Sequence, residues 1–450
     1  MTRHPEKTCS CCKTECGLNE GSCSDRGSGI QRRHFLAGLG IAVGTMVIKP
    51  PAAQGGAREP AGQVRDRRRG VELDAQTLED TLVGSTYLGC GGGGGLAAAR
   101  ELIAADLAAG LSFRRLSVAE LEDHEFVASP YALESLAPAD AGMQAKLDRI
   151  VSPVEAPTIA SFRLLENFLG QKFSAVIVGE IGPLSMAEAL SLSARIGVPS
   201  LDADTVGRAA PEINQHSVRV AGHAITPAAA VTQFGDEVIL KHVQDPSREE
   251  DVLRSLSVVS RLVGVTDAAI SGAVAKSEHV LVQGSLSLAA AIGRAVREAV
   301  AKGDDPIDAA RHSGDGYSLF EGTVEAFDWQ DRDGFLIGNV TLTGTGTFLG
   351  QAFELTYKNE HLVARRDGVV MATCPDLITM IDRKTAEGIG NPDFSKGQAV
   401  AVLAFRAAAL WRRPEGLKVF QPRYFGYDID YVPVETRLRA PGMQPLHSSK

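Results

Sequence analysis

The sequence predicts an α/β fold: an N-terminal, mainly parallel α/β domain followed by a C-terminal α+β domain with a β-rich end. Three observations predict it. The run Ala175-Val176-Ile177-Val178, a helix through Met186 to Ala194 and the short run Val198 to Leu201 read strand, helix, strand. That order within roughly thirty residues implies a right-handed parallel crossover. From about Gly316 the apolar period shortens to two, and Asp367-Gly368 between two extended runs is a hairpin signal. Finally, 450 residues with 44% hydrophobic and 22% charged side chains suffice for two or three domains with a sizeable core.

The elements follow in order. Residues 1–53 read as a leader, with Arg32-Arg33-His34-Phe35-Leu36, an apolar run to Ile48, then Lys49-Pro50-Pro51-Ala52-Ala53. An arginine pair before a short apolar run suggests a twin-arginine signal and export of a folded protein. The alternative is a cytoplasmic protein with an extended start. The apolar run falls short of the roughly 20 residues of a spanning helix. Cys9, Cys11, Cys12, Cys16 and Cys23 lie in this leader, and only Cys90 and Cys374 lie beyond it. The cluster reads either as a metal ligand set without paired CxxC spacing or as an unstructured start. Residues 54–70, with five arginines and almost no apolar residues, read as a disordered linker.

The N-terminal domain is expected over 71–238. Thr77–Leu88 and Leu96–Ala109 have helical spacing, the second closed by Gly110. Phe113–Leu116 is extended, and Ser117 with Glu120 makes a capping box. Gly197 should end the helix of the crossover. The C-terminal domain is expected over 239–440, helical to about residue 310 and then β-rich. Ser247 and Glu250 open one helix, and Ser285–Val300 form another. Phe320–Phe327, Phe335–Leu342, Phe353–Tyr357, Leu362–Ala364 and Val369–Thr373 are strands, with turns at Asp333-Gly334 and Asp367-Gly368.

Charge excludes one class of function. The net charge is −9, and no basic stripe with interleaved aromatics occurs, so nucleic acid is not an expected partner. The most informative stretch is Gly89-Cys90-Gly91-Gly92-Gly93-Gly94-Gly95. A backbone without side chains takes positive φ and approaches ligands closely. Leading into a helix, it could present free N–H groups to an anion or polarised carbonyl. A flexible linker would have the same composition, but both flanks have ordered patterns, which favours a site. The spacing Gly89-x-Gly91-x-x-Gly94 matches the dinucleotide pattern by letter only, because a helix precedes it and no acidic strand end follows at the expected distance. The phosphate-loop lysine and HExxH are missing. Cys90 reads as a nucleophile or as a small buried filler.

Ligands of open parallel sheets bind beyond the carboxyl ends of the strands. Glu180 follows the strand ending at Val178, and Asp202 and Asp204 follow the next strand. On neighbouring strands these carboxylates would meet in one crevice. There they could hold a divalent cation, orient a water or accept substrate N–H groups. The structural alternative is a turn capped by Asp202 or Asp204 and paired with Arg208. In the β-rich half, Asn359-Glu360 ends one strand and Asp376 follows another, each either a site group or a solvated strand end.

The ordered set Leu88–Gly94, Gly179–Gly182, Pro199–Pro211, Asn359-Glu360, Pro375-Asp376-Leu377-Ile378 and Phe425-Gly426-Tyr427-Asp428 resembles the S-methyl thiohydantoin desulfurase-like family, formerly a domain of unknown function (DUF917). The resemblance spans Val71 to Val434. It implies two domains and a link with hydantoinase and oxoprolinase systems. Two stretches depart from the family pattern. Ala128-Ser129-Pro130-Tyr131 replaces a Gly-Ala-Pro stretch followed by Glu-Lys, and Gly182-Pro183-Leu184-Ser185 lacks an expected Asn. The implied activity is hydrolysis of a hydantoin-like cyclic amide, with water added at a ring carbon and a thiol lost. Glu180 would be base or metal ligand, and Asp202 and Asp204 ring N–H acceptors or metal ligands. The backbone of Gly91, Gly92, Gly93 and Gly94 would donate, with Asn359, Glu360 and Asp376 as further binding groups. The alternative is a non-catalytic subunit or binding protein of an oxoprolinase-type partner. Self-association into a homo-oligomer is also expected.

Overall fold

The computed structural model describes residues 69–134, 141–150 and 156–439. The expected leader with its five cysteines and arginine pair, and the linker up to residue 68, lie outside the described residues.

The first sheet has nine strands: β1 (Val71–Leu73), β2 (Phe113–Leu116), β3 (Phe126–Glu134), β4 (Phe173–Val178), β5 (Ser200–Asp204), β6 (Ala228–Thr232), β7 (Glu237–Leu240), β8 (Leu262–Ser271) and β9 (Val282–Gln283). Their order is β1-β2-β5-β4-β3-β8-β6-β7, with β9 added on β5. The central run β2-β5-β4-β3 is parallel, and antiparallel strands flank it. β4 is apolar over its last four residues and all four are buried, as a strand covered on both faces requires. The second sheet is an antiparallel half-barrel in the order β14-β13-β12-β11-β10-β16-β15. Its strands are β10 (Tyr317–Arg332), β11 (Phe335–Gly344), β12 (Ala352–Lys358), β13 (Glu360–Arg366), β14 (Val369–Thr373), β15 (Leu377–Asp382) and β16 (Ala399–Phe405).

The turns between these strands carry the expected chemistry. Asp333 and Gly334 have φ of 57° and 81°, and Asp367 and Gly368 have 49° and 78°. Two successive positive φ values give the turn twist that matches antiparallel strands.

The helices are α1 (Ala75–Leu88), α2 (Leu96–Ala108), α3 (Ala141–Leu147), α4 (Pro157–Leu169), α5 (Pro183–Ile196), α6 (Ser217–Val220), α7 (Arg248–Ser260), α8 (Gly272–Ala275), α9 (Ser285–Lys302), α10 (Pro306–Ser313), α11 (Pro414–Leu417) and α12 (Val434–Arg437). Asp74 caps α1 by accepting from Thr77 N at 2.7 Å. Gly197 ends α5 at φ 75°, in the left-handed region that favours glycine. The Ser117–Glu120 capping box forms, but it starts only a 3₁₀ turn, Val118–Glu120. Among the described residues no helix is long and apolar enough to cross a membrane.

The boundary expected at residue 238 falls inside β7, and β8 and β9 then return to the first sheet. Pro130 and Gly264 break the strand pattern of β3 and β8 in the sequence. Pairing nevertheless runs through both residues. One hydrophobic core joins Leu78 and Leu82 of α1, Leu190 of α5 and Ile292 of α9 to Leu377, Ile381, Leu403 and Phe405 of the second sheet. A second core, with Phe320, Phe353 and Tyr357, fills the half-barrel.

Helices α1 and α9 cross with backbones in contact. A Cβ at Gly84 would lie 1.7 Å from Ala289 O, and one at Gly293 would lie 1.8 Å from Asp80 O. The bidentate pair of Arg297 with Asp80, both bonds 2.8 Å, flanks the crossing. Gly84→Ala and Gly293→Ala are each expected to cost about 2–4 kcal/mol by forcing the helices apart. Gly95→Ala, at ordinary φ with nothing within 4 Å of the new methyl, should change stability by less than about 0.5 kcal/mol. Urea-unfolding midpoints of the three variants check this ranking.

Candidate functional site

A cavity of about 530 Å³ opens where the glycine loop meets both sheets. The loop is shaped by positive φ at Cys90 (53°), Gly91 (84°), Gly93 (73°) and Gly94 (76°). Each side of it is fixed by backbone. Gly93 O accepts from Leu184 N and Ser185 N, at 2.9 and 3.1 Å, at the start of α5. Cys90 O accepts from His361 N at 2.8 Å, and Gly91 O accepts from Asn391 N at 2.7 Å. A Cβ at Gly93 would lie 2.4 Å from Gly182 Cα, and one at Gly92 would lie 1.9 Å from Glu360 Oε1. The Gly93 and Gly94 N–H groups have no acceptor among the described residues.

Glu180 and Glu360 both line this cavity, in contrasting environments. Glu180, at the end of β4, accepts from Ser185 Oγ at 2.8 Å and from Ala210 N at 3.0 Å. Burial raises its proton affinity, and these two bonds favour the ionised form. Glu360 opens β13 and is 3% exposed, yet its Oε2 has no partner. Burial and the nearby Glu180 hold its carboxyl well above the usual carboxylate range. Glu188, one α5 turn beyond Ser185, also lines the cavity. Burial and its neighbours Glu134 and Glu180 push it up to about 8.

The other sequence-derived candidates lie elsewhere. Asp202 and Asp204 do not follow the strand; they are part of β5 and do not line the cavity. Strand alternation sends both to one face, toward the N-terminus of α9. Asp202 accepts from Ser287 N at 2.9 Å and from Ser287 Oγ, with Arg115 Nε at 3.7 Å. Asp204 is fully buried and caps the following turn through Val206 N and Gly207 N. Burial pushes it up to about 7. Arg208 does not pair with it; its guanidinium donates to the carbonyls of Ala209, Asp376 and His361.

Asp376 is buried outside the cavity and holds the C-terminal segment. It accepts from Ala407 N, Arg412 Nη2, Tyr431 Oη and Val434 N, all at 2.7–3.0 Å. Asn359 does line the cavity, but its Oδ1 accepts from Leu336 N at 2.8 Å, and at φ 55° it shapes the β12–β13 turn. Cys90 packs in the core with its thiol pushed up by burial, as a filler residue would.

Several lining residues carried no sequence signal. Tyr131, His216, Arg254 and Asn391 reach the cavity from four separate segments. Asn391 donates to Asn359 O at 2.6 Å, and its Oδ1 is unpartnered. Burial pushes the adjacent His361 down to about 4, so its ring is neutral at physiological pH. No group of three or more His, Cys, Asp or Glu among the described residues is disposed to hold a metal ion.

Comparison with known proteins accords with this architecture. A crystal structure of a protein from Chromobacterium violaceum is 25% identical and superposes with a TM-score of 0.62, covering 81% of this chain and 100% of the other. No curated protein matches. Residues 76–242 match the S-Me-THD-like N-terminal domain and residues 244–434 the S-Me-THD-like C-terminal domain. Glycine loop, Glu180 and Glu360 thus fall within matched segments, and the chain belongs to the S-Me-THD-like family.

Proposed function

We propose that this protein is a hydrolase of hydantoin-like cyclic amides, acting on an S-methyl thiohydantoin by adding water at a ring carbon and releasing a thiol. The observation that carries the reading is the glutamate pair. Two carboxyl groups in one cavity with opposed environments are suited to be base and acid. Glu180, with two donors, is the ionised member and takes a proton from the attacking water. Glu360, buried with Oε2 unpartnered, keeps its proton and gives it to the ring nitrogen. The Gly93 and Gly94 N–H groups, which have no acceptor among the described residues, meet charge that develops on the substrate. The carbon–sulfur bond then breaks, the thiol leaves and the ring carbonyl forms. A proton returning from Glu180 to Glu360 resets the pair. Family membership supports a desulfurase or hydantoin-related role, and the finer reaction is the reading offered here.

The test is thiol release from an S-methyl thiohydantoin by the purified full chain. Glu180→Gln and Glu360→Gln should each lower turnover by about 10²- to 10⁴-fold while leaving the thermal midpoint within a few degrees. A wild-type chain that releases no thiol overturns the reading. Asp376→Asn should behave in the opposite way. It should lower stability by about 1–3 kcal/mol, through four strained or lost hydrogen bonds, and leave the rate per folded molecule unchanged.

Glu188 gives a pH test of the cavity's electrostatics. The unfolded chain releases this proton near the ordinary glutamate value, whereas the folded chain holds it to about 8. The unfolded state therefore binds fewer protons across that window, and this group lowers stability as pH rises through it. Glu188→Gln should match the wild type in thermal midpoint at pH 5 and exceed it at pH 8.5. Thermal scans of both proteins across pH read this directly.

A further inference from the structure

Beside the glutamate pair, the cavity holds a second polar group that the mechanism above leaves unused. His216 lines it from the loop between β5 and α6 and is 4% exposed, yet neither ring nitrogen has a hydrogen-bond partner. Its Nε2 lies 3.6 Å from Oδ1 of Asp267, which is fully buried and equally unpartnered. The other carboxylate oxygen of Asp267 accepts from the Tyr131 hydroxyl at 2.7 Å, and Tyr131 lines the same cavity.

These groups are not loosely placed. Ser217, next to His216, donates its N–H to Thr205 O at 2.8 Å and its hydroxyl to Val280 O at 2.6 Å. The β3–β8 register shifts opposite Asp267, and the following Ala268 takes φ 47°. Behind them Arg219 pairs with Glu249 at 2.6 Å. Burial and Asp267 push Glu249 up to about 8. Buried polar atoms are almost always satisfied in native proteins, and each orphan costs about 1–3 kcal/mol. Nε2 faces Asp267 Oδ1, so the second ring nitrogen, Nδ1, buried at the cavity lining with no partner, is left for a group that arrives with the substrate.

We infer that His216, oriented by Asp267, is the acid that protonates the departing sulfur. This rests on the hydrolytic reading above. As the carbon–sulfur bond of the water adduct breaks, its electron pair goes to sulfur and the ring proton of His216 follows it. The neutral imidazole takes a proton back from the adduct's hydroxyl as the carbonyl forms. Atoms and charge balance without an external reactant. Asp267 never touches substrate and is a positioning residue, holding the ring and balancing the imidazolium. Tyr131 fixes Asp267 in turn.

The experiment compares two leaving groups on the full-length chain. One substrate is an S-methyl thiohydantoin, whose alkanethiolate needs a proton to leave. The other carries S-(4-nitrophenyl), whose arenethiolate leaves without one. His216→Gln should lower thiol release from the S-methyl substrate by about 100-fold or more and leave the nitrophenyl substrate within about 3-fold. Asp267→Asn should give the same pattern with a smaller loss, at least about 10-fold, and serves if the histidine variant folds poorly. Equal losses on both substrates, or none on either, overturn the inference. A wild-type chain that releases neither thiol overturns the hydrolytic reading instead, and the inference with it.

Discussion

The site depends on one close approach of backbone to backbone, between Gly93 and Gly182. A methyl group on either glycine would fall within 2.4 Å of the other residue's Cα. That proximity lets Gly93 O accept the first N–H groups of α5, which in turn places Ser185 on Glu180. On its other side the same loop accepts backbone donors from His361 and Asn391 and presses Gly92 against Glu360. One stretch without side chains therefore sets the spacing between a carboxylate of the first sheet and a carboxylate of the second. A larger residue at Gly92 or Gly93 would alter both relations together.

The difference between the two glutamates follows from what each can reach. Desolvation acts on both and raises both. Glu180 sits at a strand end, beside a helix start and the Ala210 N–H, so donors are at hand. Glu360 begins an inner strand, where backbone N–H groups are committed to the ladder. Burial and repulsion from Glu180 then outweigh the attraction of Arg208 and Arg254. Hydrogen bonding rather than burial separates the pair, and the polarity of the assignment rests on Ser185 and Ala210.

Much of the fold was legible in the sequence because local signals sufficed. The apolar run of β4, Gly197 after α5 and the Asp-Gly turns each act within a few residues. The glycine loop, Glu180 and Glu360 were legible as candidates, since composition and strand-end position mark them, and all three line the cavity. Asp202 and Asp204 show where such reasoning stops. Their position near a parallel strand end is right, but the N-terminus of α9 lies on their side of β5 and takes up Asp202, while the next turn takes up Asp204. Which helix covers a strand face is a tertiary fact. Tyr131, His216, Asp267 and Asn391 were illegible because they are far apart in the chain and each, alone, is an ordinary residue.

Two stretches of the chain place hydroxyl groups on carboxylates at or beside the cavity. In Gly182-Pro183-Leu184-Ser185, Ser185 supplies a hydroxyl to Glu180 at 2.8 Å. In Ala128-Ser129-Pro130-Tyr131, Tyr131 supplies a hydroxyl to Asp267. Each stretch thus places a neutral donor on a carboxylate at or beside the cavity. A hydroxyl at hydrogen-bond distance stabilises the ionised acid without adding charge. Glu180 and Asp267 are thereby held as acceptors, whereas Oε2 of Glu360 meets no donor.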